Sequence, residues 1–295
     1  MNSILIEIIM SNQCNKRCPY CDLNFYNQSF SRTSLDIFSD FLDKNRSKVK
    51  YFHINFFGGE PLLSFDDIVY IVEKQSHYQN KYSLGTNGLL LTKRHLDFFR
   101  KNSFHIFLSI DNITGFDKFD LLAGYEDIIS INFINDPDHM ENSKKIFELI
   151  DAHRFAKIHF MPVYSSKDWN TDSLRVLLEM KKYISSNTNN NIECFSYFNG
   201  VSVDTQFVLD TDLYFYKDID SLLWLQKQYK RLPGFLREKI DRLSRSCKLT
   251  KDLSIDELLS TYDISTVMNL VTSIPKYINT HKQNLIINKI LQYDQ

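Results

Sequence analysis

The chain has 295 residues, 43% of them hydrophobic and 24% charged, with a formal net charge of −1. That length and balance give room for one large domain, or one plus an appendage, and exclude a disordered chain. Near-neutral charge argues against a surface devoted to nucleic acid or to an anionic membrane. Five cysteines, three of them between positions 14 and 21, do not make a disulfide framework and point to a reducing compartment, the cytoplasm. The apolar run Ile4 to Met10 is interrupted by Glu7 and is too short for a signal-peptide core or a membrane span. No later segment approaches about 18 uninterrupted apolar residues.

Strand-like and helix-like segments alternate. "ILIEIIM" (4–10) predicts a buried strand and "TSLDIFSDFLDKN" (33–45) an amphipathic helix. "YFHINFF" (51–57) predicts the second strand, followed by the helix "FDDIVYIVEKQ" (65–75). "KYSLGT" (81–86) leads into "TKRHLDFFRKN" (92–102), with Thr92 as its N-cap. "FHIFLSID" (104–111) is the fourth strand, and a loop rich in Asp and Phe follows to about 127. "DIISINFIND" (127–136) and "AKIHFMPVY" (156–164) are the fifth and sixth strands, with the helix "HMENSKKIFELIDAH" (139–153) between them. "TDSLRVLLEMKKYIS" (171–185) closes the sixth unit.

Six strand–helix units predict an α/β fold, a parallel sheet curled into a partial (β/α)6 TIM-like barrel, with chemistry on the loops after the strand ends. The polar run "SSNTNNN" (185–191) reads as a linker, which gives a barrel domain over 1–186 and a C-terminal extension over 187–295. Within the extension, 205–219 reads as a hairpin turning at Asp210–Asp212, and the rest as helices. The stretch 227–251 is locally basic, as a solvated helix face is, or as a surface for an acidic leader, an acidic partner or RNA is, the neutral overall charge disfavouring RNA.

The segment "CNKRCPYCD" (14–22) offers three thiols at spacings of four and three, with no fourth. Closed structural zinc sites take four ligands, so a zinc reading needs Asp22 or a distant His to complete it. A cubane iron–sulfur cluster held by three thiolates leaves one iron open. After the second strand comes "FFGGEP" (56–61), where paired glycines let a backbone approach something closely and Glu60 adds a carboxylate. "GTNG" (85–88) follows the third strand, and "SID" (109–111) ends the fourth, its Ser109 and Asp111 able to bond hydroxyls of a ribose.

These motifs together resemble the radical S-adenosylmethionine (SAM) enzymes, whose signature CxxxCxxC follows the first strand of a partial barrel. The resemblance covers roughly residues 4 to 186. It implies that Cys14, Cys18 and Cys21 hold one [4Fe–4S] cluster and that the amino and carboxylate groups of SAM chelate its open iron. Gly58, Gly59, Glu60 and Pro61 match the family's methionine-binding turn, with Thr86 and Asn87 beside it. Ser109 and Asp111 match its ribose position, and Tyr20 the aromatic site whose backbone meets adenine. Asn132, Ile134 and Met161 match looser adenine contacts. The implied chemistry is one-electron cleavage of SAM to a 5′-deoxyadenosyl radical, which abstracts a hydrogen atom.

Within the family, "FFGGEPLLSFDDI", "TNGLLLT" and "LSID" look most like the branch of SPASM/Twitch-bearing maturases that modify peptides. The chain departs from that branch where its extension lacks the cysteines for an auxiliary cluster, with Tyr216 or a neighbour standing where one is expected. A single cluster and a cluster-free, degenerate Twitch/SPASM-like extension are therefore expected, with no leader-binding domain ahead of residue 10. Cys194 and Cys247 are read either as packing residues or as thiols that return a hydrogen atom to a substrate radical. The expected substrate is a peptide or small protein, modified by epimerisation or cross-linking. The alternatives are a radical enzyme for a sugar, nucleoside or natural product, a glycyl-radical activase, or a cluster-binding regulatory protein without catalysis. The need for an electron implies a flavodoxin- or ferredoxin-type donor; neither membrane nor nucleic acid is expected as a partner.

Overall fold

The structure, a computed structural model, describes residues 3–21, 29–163, 171–188, 192–194, 205–209, 211–216 and 247–260. In chain order these form β1 (Ile4–Ser11), α1 (Arg32–Asn45), β2 (Phe52–Gly58), α2 (Phe65–Lys74), β3 (Lys81–Thr86), α3 (Lys93–Lys101) and β4 (Phe104–Asp111). There follow α4 (Phe119–Leu122), β5 (Ile129–Asn135), α5 (Met140–Asp151), β6 (Lys157–Pro162), α6 (Thr171–Asn187) and β7 (Ile192–Cys194). The last described elements are β8 (Thr205–Leu209), β9 (Tyr214–Tyr216), β10 (Cys247–Lys248) and the helix Ile255–Ser260. This is the expected α/β class, in which strands alternate with helices among the described residues. Local chemistry sets several boundaries: the Thr92 hydroxyl accepts from the His95 amide to start α3, and Ser31 caps α1 through the Ser34 amide.

The described residues fall into two compact units. The first draws on Met1–Arg17, Leu23–Ile106 and Gly200–Met268, the second on Cys18–Asp22 and Phe107–Asn199. In the first unit the strand order is β10-β9-β8-β1-β2-β3, with β2 parallel to β1 and β3 parallel to β2. The expected hairpin is present as β8 and β9, antiparallel to each other, and β8 also pairs parallel with β1 from Ile4↔Thr205 to Ile8↔Leu209. Thus the extension contributes a strand to the same sheet as the barrel segment. One sheet face is apolar and packs on helices: the Phe41 ring of α1 lies 6.4 Å from Phe52 and 5.3 Å from Phe215. Asn45, fully buried at the end of α1, donates to the carbonyls of Phe41 and Leu253 and accepts from the Ile255 amide, which fastens the segment around 253–255 to that helix.

In the second unit β4, β5, β6 and β7 are neighbours in that order, with β5, β6 and β7 parallel. Phe133 and Phe160 meet across β5 and β6 at 5.9 Å, and the Phe147 ring of α5 lies 6.3 Å from that of Tyr183 on α6.

Four local expectations need correction. The stretch after β4 is not all loop, because Phe119–Leu122 and Glu126–Ile128 are helical turns. Helix α6 runs to Asn187, so the polar run begins inside a helix rather than as linker. Ile192–Cys194 forms a seventh strand, too short for periodicity to reveal, with Cys194 opposite Phe160. Cys247 is in a strand, not a helix: it pairs with Phe215, so a tertiary partner overrides local propensity there. Most of the basic stretch, 227–246, and the helices expected from 261 onward lie outside the described residues. Among the described residues no helix is long and apolar enough to cross a membrane.

The other face of the first unit's sheet carries a buried polar row between apolar neighbours such as Leu5 and Ile9. Register places Glu7 beside Asn55, and Asn55 beside Ser83. Asn55 donates to Glu7 Oε1 (2.8 Å), and the Ser83 hydroxyl donates to Asn55 Oδ1 (2.7 Å). Since that proton is committed, His53 Nε2, 2.8 Å from the Ser83 oxygen, is the donor of that pair, and the ring is the neutral Nε2–H tautomer. Burial, helped by Lys81 and His105, pushes the His53 imidazole down to about 4 from 6.5. The folded state therefore prefers neutral His53, and its contribution is complete above pH 6.5 and lost as pH falls toward 4. At about 1.4 kcal/mol per pH unit the loss is up to about 3 kcal/mol. Urea denaturation followed from pH 7 to pH 4 is expected to show that fall in the wild type and a flatter profile in His53→Gln.

Candidate active site

In the first unit the chain leaving β1 is gripped by the turn after β2. The Gly59 amide donates to the Ser11 carbonyl and the Glu60 amide to the Gln13 carbonyl, both at 2.8 Å. Gly58 has φ +124°, and a Cβ there would sit 2.5 Å from the Ser11 oxygen. A Cβ on Gly59 would fall 2.0 Å from the Gln13 oxygen. The glycine pair is thus required by the approach of one backbone to another, the one that carries Cys14.

Glu60 ties this turn to the next strand end. It is buried and accepts from the Thr86 hydroxyl (2.8 Å), the Leu62 amide (3.0 Å) and the Asn87 amide (2.9 Å). Burial pushes its carboxyl up, and the three donors partly offset that. Its contact with Leu62 also caps the short helical turn opened by the buried Pro61. Asn87 then reaches the cysteine loop, donating to Asn15 Oδ1 (2.8 Å) and lying 3.7 Å from Cys14 Sγ. The Lys16 amide donates to the same sulfur at 3.3 Å. Asn12 Oδ1 is a buried acceptor without a partner among the described residues.

In the second unit Cys18 and Cys21 bracket a turn closed by the Cys21 amide on the Cys18 carbonyl (3.1 Å). Tyr20, inside that turn, donates its phenol to Asp111 Oδ2 at 2.9 Å. Burial pushes the Tyr20 phenol far above its ordinary range, and the charges of Asp111 and Cys18 push the same way, so it stays a neutral donor. Along β4 and β5 the half-buried Ser109, Asn132 and Ile134 alternate with fully buried Leu108, Ile131 and Phe133. Ile134 stands opposite Met161 of β6, which is buried, so these positions share one face of the sheet.

A family model described as the radical SAM superfamily matches residues 8–173. The chain belongs to the radical SAM superfamily. It is 25% identical over 250 residues to radical SAM cyclopropyl synthase TigE of Paramaledivibacter caminithermalis, a match that covers 73% of this chain and 43% of TigE. The chain therefore spans less than half the length of that curated relative. Among solved structures, anSMEcpe with bound AdoMet matches at a TM-score of 0.58 and 18% identity, over 87% of this chain and 80% of that one. The same protein with AdoMet and the Cp18Cys peptide gives 0.57 and 19%, over 88% and 80%. Streptococcus suis SuiB bound to its precursor peptide SuiA gives 0.54 and 18%, over 74% and 60%. These likenesses concern the fold.

Radical SAM proteins use a [4Fe–4S] cluster and SAM, and the residues present fit that pair. Cys14, Cys18 and Cys21 are partly exposed and in no disulfide, and Cys14 Sγ already accepts an amide proton, as a cluster thiolate does. Among the described residues no three His, Cys, Asp or Glu side chains are arranged around a single metal ion; thiolates of a cubane bind separate irons and need not converge.

The sequence reading missed Ser11, Gln13 and Asn15, which work through backbone carbonyls or a short side chain and leave no spacing signal. Thr114, whose amide and hydroxyl donate to Asp111 Oδ1 at 2.8 and 3.0 Å, was missed too, although an Asp followed three residues later by Thr signals such a turn. Of the two remaining cysteines, Cys194 ends β7 and Cys247 lies in β10. Gly59→Ala is expected to cost about 1–3 kcal/mol in urea denaturation, the scale of an overpacked site, and to lower the iron bound per chain after reconstitution.

Proposed function

We propose that this chain is a single-cluster radical SAM enzyme that takes a hydrogen atom from a peptide or small protein substrate, for epimerisation or cross-linking. The observation that carries the catalytic reading is the brace on the cysteine loop: the Gly59 and Glu60 amides hold the backbone leading to Cys14, and the Lys16 amide and Asn87 attend its sulfur. A peptide substrate is supported by the fold shared with anSMEcpe and SuiB, both solved with peptides bound.

In this reading Cys14, Cys18 and Cys21 hold the cluster. The Gly58–Pro61 turn with Thr86 and Asn87 holds the methionine end of SAM, and Tyr20 (by its backbone), Ser109, Asn132, Ile134 and Met161 hold the nucleoside. When bound, cluster and SAM together supply one-electron cleavage of the sulfonium and a carbon radical able to attack an unactivated C–H bond. The chain's own contribution is position. Glu60 locks two strand-end loops together, so the groups that contact SAM are set before it arrives, which is what a reaction intolerant of misplacement needs. Cys194, at the end of β7, is the thiol we retain as a hydrogen donor to the substrate radical. A flavodoxin- or ferredoxin-type protein supplies the electron in the reducing cytoplasm. We place the domain boundary near residue 186, with a cluster-free extension beyond it.

The test is anaerobic reconstitution with SAM and dithionite, followed by iron, sulfide and 5′-deoxyadenosine assays and then by candidate peptides. About four irons per chain and 5′-deoxyadenosine are expected. About eight irons would contradict the single cluster. Turnover on a sugar or nucleoside, with peptides inert, would contradict the substrate class.

A further inference from the structure

Asp111 matches a ribose-contacting position, yet its carboxylate is engaged elsewhere. Oδ1 accepts from the Ile113 amide (3.1 Å), the Thr114 amide (2.8 Å) and the Thr114 hydroxyl (3.0 Å). Oδ2 accepts from the Tyr20 phenol at 2.9 Å. An ionised carboxylate offers about four lone-pair sites, two on each oxygen; the turn saturates Oδ1, and the Tyr20 phenol takes one of the two on Oδ2. Any further donor would have to approach Oδ2, the oxygen that Tyr20 already holds.

The anchor beneath this pair is firm. The next residue, Asn112, is fully buried. Its side-chain amide donates to the carbonyls of Asp136 and His139 and to the Ser143 hydroxyl, each at 3.0 Å. Its Oδ1 accepts from the Asp136 amide at 2.7 Å. Asn142 returns a bond to the Asn112 carbonyl at 3.1 Å. The end of β4 is thereby fixed to the start of α5, and Asp111 projects from a site that cannot readily shift. At the other end, Tyr20 sits between Cys18 and Cys21 in the turn closed by their own backbone bond. All of these residues belong to the second unit.

We propose that Asp111 is a positioning residue: through the Tyr20 phenol it clamps the Cys18–Cys21 turn to the end of β4. The proposal rests on the reading of Cys18 and Cys21 as cluster ligands. It explains why the aromatic residue of this turn carries a hydroxyl and why that hydroxyl meets the buried carboxylate of Asp111, where one hydrogen bond is strong. Two thiols held in place before iron arrives lose less freedom on binding it, so the clamp acts on how long the cluster stays.

The test compares the full-length wild type with Tyr20→Phe, Asp111→Asn and the double variant. Amide exchange across residues 18–21 is measured in the metal-free chain. The rate of iron loss to a chelator and the SAM dissociation constant are measured after anaerobic reconstitution. Tyr20→Phe removes the phenol's bond to Asp111 together with its contact to Cys18 and leaves the Asp111 turn intact, so it reads the clamp even if Asp111→Asn folds poorly, and the double variant separates the two contacts. The clamp predicts that Tyr20→Phe accelerates both exchange and iron loss by about tenfold, the scale of one bond to a charged acceptor. Exchange elsewhere stays unchanged, and the double variant is no faster than the faster single one. If Tyr20→Phe matches the wild type while Asp111→Asn weakens SAM binding, Asp111 reads the ribose and the clamp is overturned. Additive effects of the two substitutions would overturn it as well. If the wild type takes up no iron, the cluster reading fails, and exchange in the metal-free chain still decides for or against the Tyr20–Asp111 clamp.

Discussion

Two backbone hydrogen bonds, from Gly59 to Ser11 and from Glu60 to Gln13, set how the first cysteine is presented, and they demand a contact so close that no Cβ fits. Everything built around Cys14 inherits that constraint. The glycine at 58 must adopt a φ that side chains avoid, the one at 59 must have none, and Glu60 must then turn its carboxylate toward β3. Because the donors and acceptors are backbone groups on strand ends, the loop is held by the sheet itself rather than by flexible side chains.

A similar division of labour runs through the first unit. Apolar side chains on one face of each sheet bury against helices and supply most of the stabilisation. In the first unit the opposite face carries polar residues that are paired among themselves, the His53–Ser83–Asn55–Glu7 chain. Burying such groups costs stability unless they find partners, and the strand register provides those partners directly. A fold arranged this way tolerates a polar reaction site on one side because the other side does the folding.

Much of this is legible in the sequence. The strands that alternate with helices are long and strongly patterned, so β1 to β6 fall within a residue or two of where periodicity puts them. The cysteine spacing, the glycine pair and Glu60 can be seen because chemistry restricts which residues serve there. What the sequence does not disclose is whom each group touches. Glycines that look made for a ligand turn out to face the chain's own backbone, and Asp111 turns out to hold a tyrosine. Strands of two or three residues, such as Cys247–Lys248 and Ile192–Cys194, exist only because a neighbour pairs with them, and no local signal can announce that. The parallel pairing of β8 with β1 is of the same kind: the hairpin could be read, its docking could not.

The central claim is that the cysteine loop is braced by the sheet before any cofactor binds. It is tested most directly by amide hydrogen exchange on the metal-free chain at Gly59 and Glu60. Protection comparable to that of the β2 amides beside them is the result this account predicts. Exchange at the rate of an open loop, with β2 itself protected, would show that the brace forms only with the cluster and would contradict it.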